Sequence, residues 1–347
     1  MSASLFEIRN LSKHFSLGTK RTGGVRRELV LKAVDDLTFD IREGECFGVV
    51  GESGSGKSTL GRLILNLLTP TSGEVRYSGF KGDAKSVSAS ASDSTGYGDI
   101  SALAPASHEM KLLRRDMQMI FQNPRSSFNP KTPIRAGLRD VARFYGLTGE
   151  RADMKIEELF ALTGLGRDIF GHRGDELSGG QLQRLAIVRA LIPSPKFIMA
   201  DEAVSALDVS VRAQILGLFR EMKERLGLTI MFVSHDLTVV EYICDRVIVL
   251  YLGAIMEIAS ARDIFSAPKH PYTRSLLAAK PRGRPGEEKK YERPEGEIPS
   301  AVDLPPGCRF YGRCRERIPG VCDTAEPEAH DVSGAPGGHL VACHLYR

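Results

Sequence analysis

The sequence predicts a layered α/β fold followed by a small carboxyl-terminal unit with its own means of support. Three observations lead there. Apolar runs of strand length alternate with amphipathic helical patterns, a glycine-rich loop joins one such strand to a helix, and the composition changes beyond about Ser260. A chain of 347 residues has room for one large domain and a smaller attachment, which places the division at 1–260 and 261–347. The 47 basic and 43 acidic side chains leave a net charge of +4, too small and too evenly spread for strong attraction to nucleic acid or anionic lipid. The start, MSASLFEIRNL, lacks the long apolar stretch of a signal peptide. Nowhere does the chain carry the run of about 18 apolar residues that crosses a bilayer. It is therefore expected to be soluble when alone.

LFEIRNL, LTFDI and ECFGVV have the length and apolar content of strands, and the basic, glycine-containing stretch TKRTGGVRRE between the first two reads as a loop. Between Gly82 and Ser107 the segment SVSASASDSTGYGDISALAPAS has seven serines and small side chains, which bury too little area to offset ordering entropy. A mobile surface insertion over about 82–107 is expected. From Asp208 onward, Val211, Ile215, Leu216, Phe219 and Met222 recur on one helical face, leading into the buried strand of LTIMFVSHD. DRVIVLYLG supplies another strand. KHPYTRSLL is a proline-started helical segment, KPRGRPGEEKKYERPEGEIPS a charged connector, and the tail beginning CRFYGRC is too short for much core of its own.

The strongest chemical signal is GESGSGKST, composed of Gly51, Glu52, Ser53, Gly54, Ser55, Gly56, Lys57, Ser58 and Thr59, between the strand ECFGVV and the helical LGRLILNLL. This is a phosphate loop in its required strand–loop–helix setting. The glycines let backbone N–H groups turn inward around an oxyanion, and the helix N-terminus adds partial positive charge. Lys57 can reach the β- and γ-phosphates of a nucleotide, and Ser58 can offer a hydroxyl to Mg²⁺. In KFIMADEAVSALD, an apolar strand delivers Asp201 and Glu202 to its carboxyl end. Asp201 is placed to organise the Mg²⁺ shell through water, and Glu202 to polarise the attacking water. His235 has two readings, a group that senses the γ-phosphate or a satisfied histidine at a strand end. The Gln122 amide suits contact with both metal and water, or is an ordinary loop glutamine. In ELSGGQLQR, Ser178, Gly179, Gly180 and Gln181 open an amphipathic helix whose N-terminus can meet phosphate from outside.

The order of these motifs closely resembles the ABC ATPase family. The resemblance implies a nucleotide-binding core with an inserted helical subdomain over about 122–190, and two such domains closing head to tail on two ATP molecules. Ser178 and Gly180 would then touch the γ-phosphate held by the opposite subunit. SALD, ending in Asp208, matches the loop through which opposed sites communicate, Gln122 the lever toward the membrane partner, and His235 the switch histidine. Phe15 resembles the aromatic that stacks on adenine, although a core phenylalanine fits the residues equally well. ADEA departs from the family at Ala203, where proline is usual, and the serine-rich segment exceeds the usual linker.

VGESGSGKSTLGR, MQMIFQNPRSSFNP, DEAVSALDVSVRAQIL, VSHDLTVVEYICDRVIVLYLG and APKHPYTRSLLAAKP resemble the ATP-binding subunits of oligopeptide and dipeptide importers, and the tail extends the match to nearly the whole chain. That resemblance implies ATP hydrolysis coupled to peptide import. It also implies a second ATPase subunit, a heterodimer before a homodimer, with two transmembrane permeases and an extracytoplasmic solute-binding protein. The chain would sit peripherally on the cytoplasmic face of the membrane. Rival readings are an importer of nickel, opines or another solute, and a soluble regulatory or nucleic-acid-remodelling ATPase; no stable nucleic-acid partner is expected. Six cysteines fall below the density of a disulfide scaffold, and cellular ATP points to a reducing compartment. Cys46 and Cys244 read as ordinary buried thiols. Cys308, Cys314, Cys322 and Cys343, with five, seven and twenty intervening residues, suit zinc, an iron–sulfur cluster or no ligand at all by spacing. The family resemblance implies a structural [4Fe–4S] cluster, with Zn²⁺ as the alternative.

Overall fold

The computed structural model describes residues 3–22, 25–80, 97–278, 296–302, 304–334 and 338–346. In chain order the elements are β1 (Ser4–Thr22), β2 (Val25–Arg42), β3 (Cys46–Val50), α1 (Lys57–Ile64), β4 (Ser72–Tyr77), β5 (Gly98–Asp99), α2 (His108–Asp116) and β6 (Met117–Ile120). There follow α3 (Ile134–Phe144), α4 (Gly149–Thr163), α5 (Gly179–Leu191), β7 (Phe197–Asp201), α6 (Val209–Leu226), β8 (Thr229–Val233) and α7 (Leu237–Ile243). The described chain closes with β9 (Arg246–Tyr251), β10 (Ala254–Ser260), α8 (Ala261–Ser266), α9 (Pro271–Ala278), β11 (Ala329–Asp331) and β12 (His339–Ala342). Two compact units result: Met1–Ala3, Arg42–Cys46 and Leu103–Ser234 form the first, and Ser4–Ile41, Phe47–Ala102 and His235–Arg347 the second.

In the first unit, β6, β7 and β8 run parallel, with Met117 opposite Phe197 and Phe197 opposite Thr229. Strand β7 is buried along its whole length, which explains why FIMAD is a continuous apolar run closed by one carboxylate. Between 122 and 190 this unit is helical, as α3, α4 and α5. Ile134, Leu138 and Ala142 bury one stripe of α3, while Ile156, Leu159 and Phe160 bury one of α4, which ends on Gly164 in the left-handed region. Helix α6 buries Ile215, Leu216, Phe219 and Met222 as the periodicity predicts; Val211 stays half-buried.

The second unit holds an antiparallel sheet in the order β2-β1-β4-β5, and a separate run in the order β11-β12-β10-β9-β3. Strand β3 is parallel to β9, with Val50 opposite Val249, so the chain leaves the sheet at Gly51 from a buried, fixed strand end. Two segments differ from the sequence reading. The basic stretch read as a loop instead continues both flanking strands, β1 to Thr22 and β2 from Val25, because pairing satisfies backbone groups whatever the side-chain charge.

The serine-rich segment is the other. Its residues 82–96 lie outside the described residues, but from Tyr97 it is built into the unit. The Tyr97 hydroxyl donates to the Ser4 carbonyl at 2.6 Å, β5 pairs with β4, and the Asn66 amide donates to the Ile100 carbonyl at 2.8 Å. Ile100 is fully buried. In the first unit, Ser107 caps α2 by accepting the Met110 N–H at 3.1 Å.

The tail packs on an aromatic cluster. Phe310 lies 5.5 Å from the Tyr251 ring and 5.3 Å from that of Tyr272, and β12 adds to the edge of β10 with Val341 opposite Glu257. The structure contradicts the expectation of a [4Fe–4S] cluster or Zn²⁺ on Cys308, Cys314, Cys322 and Cys343. Among the described residues, no group of three or more His, Cys, Asp or Glu side chains is disposed to hold a metal ion. The four thiols are buried around a cavity of about 10 Å³, room for about one water molecule. Burial pushes Cys308 up to about 12 and Cys343 up to about 11, and raises Cys314, so these thiols are neutral in the fold as it stands. Cys46 and Cys244 are buried, as read from the sequence. Among the described residues no helix is long and apolar enough to cross a membrane.

Because Ile100 belongs to the core, Ile100→Ala should destabilise the protein by about 2–5 kcal/mol, the usual range for emptying such a site. Urea denaturation followed by circular dichroism measures this, and an unchanged midpoint would return Ile100 to the surface insertion.

Candidate active site

The phosphate loop leaves β3 at Gly51 and enters α1 at Lys57. A Cβ at Gly51 would lie 2.2 Å from the Leu250 carbonyl oxygen, and one at Gly56, whose φ is +101°, would lie 2.1 Å from that of Ala33. No side chain fits at either position. Gly56 makes no side-chain cap, and the positive end of the α1 dipole faces the loop. The Lys57 ammonium is buried and donates to the Gly51 carbonyl at 2.8 Å and the Glu52 carbonyl at 2.9 Å, with Ser55 Oγ at 3.5 Å. Ser53 and Gly54 form the exposed tip, while Ser58 and Thr59 are half-buried in the first turn of α1.

Glu52 is held from the carboxyl-terminal side of the same unit. Its N–H donates to the Tyr272 hydroxyl at 2.9 Å, and its carboxylate accepts both arms of Arg313. Tyr272 is itself placed by a buried network. The Tyr272 N–H donates to His270 Nδ1 at 3.0 Å, and the Glu257 carboxylate accepts the N–H groups of Lys269 and His270 and lies 2.6 Å from His339 Nε2. Phe15, on β1, is half-buried with the Lys13 ammonium 5.2 Å from its ring centre, so it is not a core residue. Beside it, His14 Nε2 lies 2.6 Å from Asp35, which also accepts from Lys32 and Arg309. Burial alone would raise the Asp35 carboxyl. The hydrogen bonds from Lys32 and His14 and the charge of Arg309 outweigh it and hold the group below its ordinary value. His235 is exposed on the turn before α7, next to Asp236, which caps that helix.

In the first unit, β7 ends on Asp201, which is buried, and the next residue, Glu202, has φ +49°, a backbone conformation unusual for a residue with a side chain. The surroundings impose it. The Glu202 N–H donates to the Val233 carbonyl at 3.0 Å, and its carbonyl accepts the Ser205 N–H at 3.1 Å and hydroxyl at 2.9 Å. Those bonds brace the turn where the sequence has Ala203. The Gln122 amide donates to the Glu202 carboxylate at 2.7 Å, so two residues 80 positions apart meet. Ser178 caps α5 reciprocally with Gln181, at 3.3 and 3.0 Å, leaving Gly179 and Gly180 at the helix start. A Cβ on Gly180 would come within 2.7 Å of Val211. The turn carrying Ser178 to Gln181 thus lies against the segment of Leu207 and Val211 that flanks Asp208, which is exposed ahead of α6.

A family model described as "ABC transporter" matches residues 34–205. A second, described as "Oligopeptide/dipeptide transporter, C-terminal region", matches 256–322. A putative peptide import ATP-binding protein of Brucella melitensis is 42% identical over 344 residues, covering 98% of this chain and 97% of the relative. The chain belongs to the ABC transporter family, as an ATP-binding subunit of its peptide-importer branch. Oligopeptide transport ATP-binding protein AppF of Bacillus subtilis is 40% identical, covering 99% and 98% of the two chains. Dipeptide transport ATP-binding protein DppF of Escherichia coli is 39% identical, covering 98% and 93%. Among solved structures, the ATP-binding cassette MJ0796 in a dimeric post-hydrolysis state with ADP and Pi is 27% identical with a TM-score of 0.58, covering 74% of this chain and 99% of that one. This ABC subunit hydrolyses ATP.

The contacts of Tyr272, Arg309, Arg313, Glu257 and His339 were not legible as site features, because each partner is remote in sequence. The HPYT motif and the arginines between the tail cysteines were the available signals. The buried network makes this region of the ABC subunit acid-sensitive. Burial lowers His270 to about 4, so it is neutral in the fold while the unfolded chain takes up a proton near pH 6.5. Stability is therefore complete above about pH 6.5 and falls as pH drops toward 4, by up to about 3 kcal/mol. Burial would raise Glu257, but hydrogen bonds led by that from His339 hold it low, so its contribution is also lost on acidification. Urea midpoints at pH 7.5 and 5.0 should show this loss, with His270→Gln reducing it; equal midpoints would contradict it.

Proposed function

We propose that this chain binds and hydrolyses ATP to power import of oligopeptides or dipeptides through a membrane channel formed by other chains. The observation that carries the reading is the match of residues 256–322 to the carboxyl-terminal region of oligopeptide and dipeptide transporters. Relatives named for peptide import, similar along nearly the whole chain, support it.

In this reading ATP phosphates lie on residues 51–59 with Phe15 against the base, and Lys57 exchanges its loop carbonyls for phosphate oxygens. Hydroxyl, amide and carboxylate oxygens from Ser58, Gln122 and Asp201 suit Mg²⁺, a hard cation that otherwise keeps water and phosphate ligands. When bound, Mg²⁺ neutralises phosphate charge. Glu202 accepts the proton of the attacking water, Gln122 orients its carboxylate, and His235 answers the γ-phosphate. The α5 start, with Ser178, Gly179, Gly180 and Gln181, caps the nucleotide of a second ATPase subunit, and Asp208 lies on the loop between opposed sites. The working assembly adds a non-identical ATPase partner, two permeases and an extracytoplasmic solute-binding protein, with this chain peripheral on the cytoplasmic face. The division into an ATPase domain over 1–260 and an importer-type extension over 261–347 belongs to the same proposal.

Glu202→Gln should lower kcat by about 10²–10⁴-fold, the usual contribution of a positioned base, while nucleotide binding stays intact. Lys57→Ala should instead weaken binding itself. Steady-state phosphate release and a fluorescent-nucleotide titration separate the two, and near-normal turnover by Glu202→Gln in the assembled complex would reject the assignment. Affinity purification should recover two polytopic membrane proteins; recovery of nucleic acid without them would reject the transport reading.

A further inference from the structure

Glu52 uses all three of its polar groups. Its carbonyl accepts the Lys57 ammonium at 2.9 Å, its N–H donates to the Tyr272 hydroxyl at 2.9 Å, and its carboxylate is gripped by Arg313, Nη1 to Oε2 at 2.7 Å and Nη2 to Oε1 at 3.0 Å. The last two partners lie 220 and 261 residues along the chain. A two-armed guanidinium–carboxylate pair fixes orientation as well as distance. Arg313 is well suited to that task. Its side chain is 8% exposed, donates also to the Tyr251 hydroxyl at 3.3 Å, and lies 5.7 and 5.8 Å from the Tyr251 and Phe310 ring centres.

A carboxylate on the second residue of a phosphate loop works against polyphosphate binding, since like charges within a few ångströms repel strongly where water is scarce. Turned aside and neutralised, it no longer does so, and the backbone that carries Lys57 is fixed in the same act. We propose that Arg313 is a positioning residue for the phosphate loop, holding and neutralising Glu52 so that the carboxyl-terminal region sets the nucleotide affinity of its own chain. Tyr272 assists from the backbone side. The proposal rests on the nucleotide-site reading above.

The test is titration of the purified full-length chain with a fluorescent ATP analogue in Mg²⁺, together with phosphate release and thermal unfolding. Arg313→Gln should weaken binding about tenfold, the factor for a lost hydrogen-bonded charge pair. The fall in kcat/KM should lie in KM, with kcat within about twofold. Glu52→Gln combined with Arg313→Gln should recover affinity to within about threefold of the wild type, because the charge needing neutralisation is gone; a purely structural arginine gives no such rescue. Affinity unchanged in Arg313→Gln, or a double variant no better than the single, would overturn the proposal. If Arg313→Gln does not fold, Arg313→Lys and Tyr272→Phe take its place, and each must weaken binding at least threefold or the proposal fails. Wild-type protein that binds no nucleotide would sink the underlying reading itself, a result distinct from normal wild-type binding with indifferent variants.

Discussion

The second unit is organised around a backbone approach too close for any side chain. Positions 51 and 56 lie where a Cβ would meet the carbonyl oxygens of Leu250 and Ala33 at 2.2 and 2.1 Å. The close approach fixes the loop between β3 and α1, since β9 carries Leu250, β2 carries Ala33, and β3 is locked in parallel register with β9. Once the loop is fixed, the first turn of α1 is fixed with it, and the Lys57 ammonium is held across the loop on the carbonyls of Gly51 and Glu52. A loop and helix start of this kind suit an anion through backbone geometry.

The carboxyl-terminal region is bound into that arrangement by charge. Arg313 and Tyr272 hold Glu52, and Arg309 joins Asp35 to the carbonyl of Leu252. Buried pairs of this kind need not add much net stability, because desolvation opposes the Coulomb gain. What they impose is orientation. Behind them, the chain from His339 through Glu257 and His270 to Tyr272 continues the connection as far as β12. A tail that seemed too small to fold alone shares the aromatic cluster of Tyr251, Tyr272 and Phe310.

Much of the local architecture was legible in the sequence because its signals lie close together in the chain. Gly51 to Thr59 announce their loop by spacing, Phe197 to Glu202 by an apolar run that ends in acid, and Ser178 to Gln181 by a serine and two glycines opening an amphipathic helix. The rest depends on distant partners. Nothing in GCRFYGRC says that its two arginines reach Asp35 and Glu52, and attention fell on its cysteines, whose thiols burial keeps protonated. Composition likewise hid Tyr97 and Ile100 within a serine-rich stretch, although a tyrosine and an isoleucine are what a sheet edge would bury. The left-handed backbone at Glu202 had no signal either; it is imposed by the carbonyl of Val233 and the two bonds from Ser205.

Residue chemistry and family likeness meet in one claim, that phosphoryl transfer on this chain drives peptide movement elsewhere. The most direct measurement is uptake of a labelled short peptide by vesicles containing the chain with its co-purified ATPase and membrane partners, supplied with the solute-binding protein. The account predicts accumulation against a gradient that requires ATP on the side of this subunit and turnover that rises with bound peptide. Hydrolysis indifferent to the membrane partners, with no peptide accumulation by an intact complex, would contradict it.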